Sequence, residues 1–314
     1  MESASLPPTE RTRLAVAGAR ANVAATLGSQ PRADVVRNNL FAGLLLLSIL
    51  IALAGLVALL TQALVEGASA LGPKLFTEPP STIDTANAGF RPALIGSVMM
   101  IAFVIVIIVP LGVGAAVYLE EYADETKWWN RLIEVNIQNL AAVPSIIYGI
   151  LGLGFIVRGT LDLGFILLAG AITLALLVLP IVIIAAREAV RAVPPSIREG
   201  SLALGATKWQ TTRLQVLPAA IPGIATGVIL AVSRALGETA PLLLVGATVF
   251  VTFDPTPFGQ DGYSALPVQI FQYATRPQED FQTLAAAGII LMLAVLLAMN
   301  SVAIWLRNRY EQRW

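Results

Sequence analysis

The sequence predicts an all-α, polytopic membrane protein with about six transmembrane helices, and three observations carry that expectation. Of 314 residues, 56% are hydrophobic and only 13% charged, for a mean hydropathy of +0.76. The apolar residues collect in runs long enough for a helix rising ~1.5 Å per residue to cross ~30 Å of hydrocarbon. Arginine and lysine crowd into alternate connecting segments, as in a chain threaded back and forth through a membrane.

In chain order, a polar tail over 1–39, rich in Ala, Arg, Ser and Pro, precedes a membrane domain over 40–306 and a short tail over 307–314. The apolar runs cover 40–65, 93–119, 135–157, 163–186, 217–251 and 284–306. The first carries no small-residue cleavage pattern and exceeds a signal-peptide core in length, so it reads as a retained span. Basic residues lie on the side of the N-terminus at Arg11, Arg13, Arg20, Arg32 and Arg37, at Lys127 and Arg131, from Arg187 to Arg213, and at Arg307, Arg309 and Arg313; the opposite segments hold Lys74, Arg91, Arg158 and Arg276. Both termini are therefore expected in the cytoplasm. One loop on that side, "EEYADETKWWNR", carries more acid than base, but acidic residues weigh little in this rule and Trp128 with Trp129 suits an interfacial anchor. Within the spans, Pro110, Pro144, Pro180 and Pro222 each remove a backbone donor, and kinks are expected there.

Composition removes most enzyme classes. Cys and His are both absent, which excludes disulfides, thiol nucleophiles, zinc sites of the usual ligand types and histidine acid–base pairs. Twenty basic residues balance twenty acidic ones, so no global charge points to nucleic acid. No G-x-x-x-x-G-K-[ST] loop occurs, so any nucleotide chemistry must come from another chain.

The cytoplasmic loop "REAVRAVPPSIREGSLALGATKWQTTRLQVLP" has more internal design than a connector requires. Ser196 with Glu199 and Thr207 with Gln210 both have capping-box spacing, and Gly205 between them suits the left-handed residue that ends a helix. A helical hairpin over 195–216 is expected, with the apolar tip "LALGATKW" facing the cytosol and wanting a partner. A DNA-binding helix-turn-helix has this shape, but flanking spans hold the hairpin against the membrane and its basic content is modest.

"EGSLALGATKWQTTRLQVLP" resembles the E-A-A…G…I-x-L-P loop of the transmembrane subunits of binding-protein-dependent ABC importers. Glu199, Gly205, Leu217 and Pro218 fall on that pattern with its spacing, whereas Gly200, Ser201 and Gln215 depart from it. The resemblance implies a type I importer (MetI-like) permease fold and a coupling loop, carried here by Arg198, Glu199, Leu204, Gly205, Ala206, Leu217 and Pro218, that docks on a cytoplasmic ATPase. Glu199 closing only its own capping box is the alternative. "NIQNLAAVPSIIYGILGLGF", "LFTEPP", "SRALGETAPLLL" and "SALPVQIFQYATRP" look like the permeases of phosphate importers, the second and fourth like the PstA type rather than the PstC type. That likeness implies a PstC-like second permease subunit, two PstB-like ATPase subunits using ATP and magnesium, a PstS-like phosphate-binding protein, and no cofactor in this chain.

The costliest feature is the pair Arg234 and Glu238, set in an otherwise apolar run. Counted from Pro222, Arg234 lies ~18 Å into the helix, slightly past the midplane, where a charge costs roughly 2.5–3.5 kcal/mol or more. Four residues apart, the two can form a self-satisfying ion pair that fixes helix rotation. Alternatively Arg234 offers a planar fork to phosphate oxygens, and Glu238 either screens that charge or accepts the proton of a phosphate hydroxyl, which would disfavour sulfate. Gly237, Thr239 and Pro241 are expected to interrupt the helix, with Thr239 capping a new segment.

A second cluster, Arg187, Glu188 and Arg191, stands where the fourth span meets the cytoplasm and suits either an exit guide for the anion or positive-inside anchoring. The external loop over 252–282 is expected to hold a short helix near 267–275, with Phe271 and Tyr273 exposed or dipping into the interface. Docking of a binding protein and a simple lid remain alternative uses. The rival functions are a permease for molybdate or sulfate and an ion-driven secondary transporter, although Glu238 is the only acidic residue deep in a span.

Overall fold

The computed structural model describes residues 16, 18, 32–124, 126–247, 251–259 and 262–310. Most of the predicted 1–39 tail and the last four residues therefore lie outside the described residues. The chain divides into two compact units, Met1–Gln62 and Ala63–Trp314. The first contains most of α1 (Arg32–Gly67), a helix that begins before the apolar run and whose described side chains are almost all exposed.

Besides a single helical turn at Lys74–Thr77, the second unit holds α2 (Arg91–Tyr122), α3 (Trp128–Ala141), α4 (Ser145–Val157), α5 (Leu167–Arg191), α6 (Pro195–Ala203), α7 (Lys208–Gly237), α8 (Ala240–Leu244), α9 (Leu266–Ala274) and α10 (Glu279–Tyr310). Among the described residues, five helices are long and apolar enough to cross a membrane, and the bent pair α3–α4 makes six if counted as one span. No named strand occurs among the described residues; one isolated bridge joins Ala247 to Tyr263.

Two expected spans are broken, and proline chemistry explains both. The run over 135–157 is bent by 108° between α3 and α4. Pro144 stands at the N-cap of α4 with φ −56° and ψ 138°; it has no N–H to continue α3, and its ring pushes Val143 away from helical backbone. The run expected over 217–251 instead starts at Lys208 and stops at Gly237. Glu238 is extended there (φ −77°, ψ 124°), and α8 restarts with Pro241 in its first turn. Pro110, Pro180 and Pro222 sit inside unbroken α-helical segments, so a proline stops the chain only where flanking residues also disfavour helix. Pro218 has a different accommodation. A π turn over Thr212–Val216 widens α7 just ahead of it, relieving the clash that a proline ring makes with the carbonyl four residues back.

α5 is the hub. Two-thirds of its most apolar window is buried (67%), against 6% for α10, so α5 fills the centre of the unit while α10 keeps an outward face for lipid or another subunit. Ile108 and Val104 of α2, Val178 and Leu174 of α5, and Ala231 and Ala235 of α7 lie in one continuous core. α7 approaches α5 through small residues: a Cβ on Gly223 would lie 2.6 Å from that of Ala189, and one on Gly227 would meet Ala185. Backbones that close can be held by dispersion alone, which is what helix association in lipid requires.

Outside the spans, Leu266 N–H donates to Ser97 Oγ (2.8 Å) and Arg91 pairs with Asp254 (2.6 Å), fixing the connection between α8 and α9 to the start of α2. α9 forms where a short helix was expected, and Phe271 is exposed. Tyr273 is fully buried, contrary to expectation. It stacks on Phe281 at 5.6 Å and meets Phe90 edge-on at 5.3 Å, and burial pushes its hydroxyl up to about 12. Three aromatic rings together withdraw more apolar area than one exposed ring could, and that decides its orientation.

Candidate functional site

Arg234 stands in the last turn of α7, where the unsatisfied carbonyl end of the helix favours a cation. Its Nε lies 3.3 Å from Glu238 Oε1, with side chains 44% and 17% exposed respectively. The pair therefore forms as expected, but the arginine keeps an open face while the carboxylate is largely covered. The helix break makes this possible. An unbroken helix would project Glu238 along the α7 surface, whereas the extended backbone at Glu238 turns the chain toward α8.

α8 packs against α4, the other product of a broken span. At their contact a Cβ on Gly149 would lie 2.7 Å from Pro241 Cα and 2.9 Å from Leu244 Cδ1. Glycine is what lets the two half-helices meet. Tyr148, beside it, is within electrostatic reach of Arg234, and its hydroxyl donates to the Leu140 carbonyl across the α3–α4 bend (2.8 Å). Behind Arg234, Ser233 Oγ and Asn300 Oδ1 are 2.8 Å apart, joining α7 to α10. Discontinuous helices meeting beside an ionisable pair are the arrangement by which membrane transporters hold polar groups at depth. Thr239 occupies the N-cap position of α8 but makes no side-chain capping bond, and its backbone is helical (φ −108°, ψ −45°) rather than extended. The expected cap is thus absent; Pro241 in the first turn has no N–H to be capped.

The cluster at the end of α5 is larger than the sequence suggests. Arg187 donates to Glu120 (2.9 Å) and Glu134 (2.6 Å), Arg191 donates to Glu120 (3.0 Å for each of two contacts) and lies 3.6 Å from Glu188. Arg187 and Glu120 are 13% and 15% exposed, and charges this covered need partners. The cluster lines a cavity of about 360 Å³ with Asn130 and Arg131. Glu120, Glu121 and Glu134 were missed from sequence. For Glu120 and Glu121 the acid surplus of "EEYADETKWWNR" was the available sign; Glu134 lies beyond that stretch, within α3.

The hairpin is α6, a turn and the first turns of α7. Gly205 has φ +85°, as its place between two helices demands. The Thr207–Gln210 capping box is formed in both directions. The Ser196–Glu199 box is not: Pro194 is the N-cap, so Ser196 falls inside the first turn. Pro195 at the first helical position starts the helix two residues earlier than a cap at Ser196 would. Leu204 (91% exposed) and Trp209 (59%) project from the tip, Glu199 is exposed, and Ala206 is half-buried. A concavity of about 710 Å³ lies between the arms, lined by Ile197, Leu204, Ala206 and Leu214 among others. Leu217 and Pro218, half-buried, continue the same helix toward the bundle.

A fold of broken membrane helices beside a charge pair with one covered and one open partner, with an apolar hairpin presented on a continuous helix, is that of a transport permease. Residues 108–314 match the model of the binding-protein-dependent transport system inner membrane component, and the chain belongs to that family. It is a multi-pass inner-membrane permease subunit of an ABC importer, a class that works with an ATPase and a binding protein and is not itself an enzyme. Among curated proteins it is similar to the phosphate transport system permease protein PstA of Yersinia pestis, 35% identical over 85% of this chain and 88% of that one. Among solved structures, a bacterial alginate ABC transporter shares the fold at TM-score 0.65 and 14% identity, over 89% of this chain and 97% of the other. The inward-facing MetNI methionine transporter does so at 0.56 and 19%, over 70% and 94%.

Proposed function

We propose that this chain forms one half of the membrane pathway of an ATP-driven inorganic phosphate importer. The observation that carries the reading is the Arg234–Glu238 pair at the break between α7 and α8, with a half-exposed guanidinium and a largely covered carboxylate. Phosphate must shed water to cross, and Arg234 offers a planar fork of donors that matches its oxygens. Glu238 moderates that charge so the anion is released, and accepts the hydroxyl proton that phosphate carries and sulfate lacks. Thr239, at the same break, supplies a further polar group to the path. Likeness to the PstA proteins supports phosphate over molybdate or sulfate.

The other half of the pathway is a PstC-like permease subunit, a PstS-like protein delivers phosphate from outside, and two PstB-like subunits hold ATP and magnesium below. The hairpin over 195–216 docks on them through Glu199 and the Leu204–Ala206 tip, and the continuous helix through Leu217 and Pro218 carries their movement to Arg234. Residues 40–306 form the permease domain, with the 1–39 and 307–314 tails in the cytoplasm and the 252–282 loop outside. Arg187, Glu188 and Arg191 then stand at the inner exit. Because their guanidiniums are already held by carboxylates, bracing the exit suits them better than capturing an anion.

Replacing Arg234 by Gln, with assembly of the complex confirmed, is expected to abolish binding-protein-dependent phosphate uptake in reconstituted vesicles. Uptake at the parental rate would leave the pair a purely structural role. Comparing phosphate, sulfate and molybdate as stimulants of the complex's ATPase identifies the oxyanion.

A further inference from the structure

The hairpin is fastened to the bundle a second time, apart from its covalent passage into α7. Arg198 of α6 turns its guanidinium inward. Its Nε donates to Glu121 Oε1 (2.9 Å) with Nη2 2.8 Å from the same oxygen, while Nη1 and Nη2 donate to the carbonyls of Val193 (2.5 Å) and Val190 (2.8 Å). Three helices meet in this one side chain. Glu121 lies in the π turn Tyr118–Tyr122 that ends α2; Val190 is in the last turn of α5 and Val193 just beyond it; Arg198 itself belongs to α6.

The Glu121 side chain is 8% exposed and that of Arg198 23%. Breaking the contact would leave a covered carboxylate without its partner and the carbonyl end of α5 without its donors, each more costly than a lost surface ion pair. The fastening therefore resists parting when α6 is pushed. Glu199, the next residue, is exposed on the hairpin. Neighbouring positions thus face opposite ways, one toward the cytosol and one into the bundle.

We infer that Arg198 is a positioning residue: it carries displacement of the coupling hairpin directly into the cytoplasmic ends of α2 and α5, through Glu121 and the carbonyls of Val190 and Val193. This rests on the reading of the hairpin as the ATPase-coupling element. A movement delivered only through α7 would slide that helix past α5. Delivered through Arg198 as well, it moves α2, α5 and α7 together, and α2–α5 and α5–α7 are the most extensively packed helix pairs. Lysine would keep the charge but lose the planar fork that serves carboxylate and carbonyls at once.

The chain has no cysteine, so spin labels can be placed at Leu202→Cys on α6 and Ala123→Cys just past α2 in the full reconstituted complex. With Arg198 intact, the distance between the labels is expected to stay constant between nucleotide-free and ATP-bound states. In Arg198→Gln it should broaden and change with nucleotide, and phosphate transported per ATP should fall by roughly tenfold while the ATPase subunits remain bound. Arg198→Lys should fail likewise, because it keeps the charge and loses the fork that serves the carboxylate and both carbonyls. Should Arg198→Gln not assemble, Glu121→Gln reads the same contact with a near-isosteric change.

Parental coupling together with an unchanged label distance in Arg198→Gln, or in Glu121→Gln, overturns the inference. Glu199→Lys separates it from the reading beneath it. If Glu199→Lys releases the ATPase while Arg198→Gln changes nothing, docking stands and the internal fastening does not. If Arg198→Gln uncouples while Glu199→Lys neither releases the ATPase nor uncouples, the fastening stands and docking through Glu199 fails.

Discussion

At the scale of single residues, the site depends on what small side chains permit as much as on what charged ones do. Arg234 is tolerable at its depth because three things coincide: the carbonyl end of α7, Glu238 at 3.3 Å, and a half-exposed face. None of these would hold if the half-helices could not meet beside it, and Gly149 is where they meet. Its missing Cβ would fall 2.7 Å from Pro241 Cα, a backbone atom that cannot rotate away. Gly149→Ala is therefore expected to separate α4 from α8 at a cost of about 1–3 kcal/mol, read as a lowered melting temperature of the purified complex together with reduced uptake. A variant that melts and transports like the parent would show that α8 is free to shift. The charged pair was legible in the sequence because charge in an apolar run is conspicuous. Gly149 was not, since nothing in "SIIYGILGLGF" tells which glycine faces another backbone.

Helices and turns were legible where local chemistry alone decides them. Gly205 and the Thr207–Gln210 box were readable because both are settled within four residues, and both formed. Ser196 misled because Pro194 and Pro195 start α6 two residues earlier and leave no capping position for it. The two boxes therefore make opposite predictions. Thr207→Ala should cost about 1 kcal/mol and speed amide hydrogen exchange at Trp209–Thr211, where α7 begins, whereas Ser196→Ala should stay within about 0.5 kcal/mol. Equal effects at both sites would mean that the hairpin's ends are held by packing rather than by caps. The breaks at Pro144 and Glu238 were only half legible: proline marked the positions, but a 108° bend depends on whether a partner helix waits to receive the turned segment. For α4 that partner is α8, 90 residues away in sequence. The Arg187–Glu120–Glu134 cluster was hidden for the same reason, because its members come from three different helices.

Across the whole molecule, burial is distributed as an incomplete pathway would require. α5 is enclosed, α10 is almost entirely open on its apolar face, and Arg234 keeps 44% of its side chain exposed although nothing in a lipid environment could satisfy it there. An exposed guanidinium in the last turn of a membrane-spanning helix calls for water, an anion or another subunit to face it. The end away from the hairpin is closed differently: α9 lies against α10 and the start of α2, tied by Ser97 and by the rings of Phe90, Tyr273 and Phe281. A firmly seated cap at that end and a hairpin at the other fit a molecule in which movement enters through the hairpin. Thr239, at the break beside Glu238, reports on that movement, and the absence of native cysteine makes Thr239→Cys a clean probe. In the assembled complex, a membrane-impermeant thiol reagent added from outside should modify Thr239→Cys in only one of the nucleotide-free and ATP-bound states, and phosphate delivered by the binding protein should slow the reaction. If modification proceeds equally in both states and phosphate gives no protection, the α7–α8 break does not line an alternating path, and the Arg234–Glu238 pair would serve only to hold the helix end.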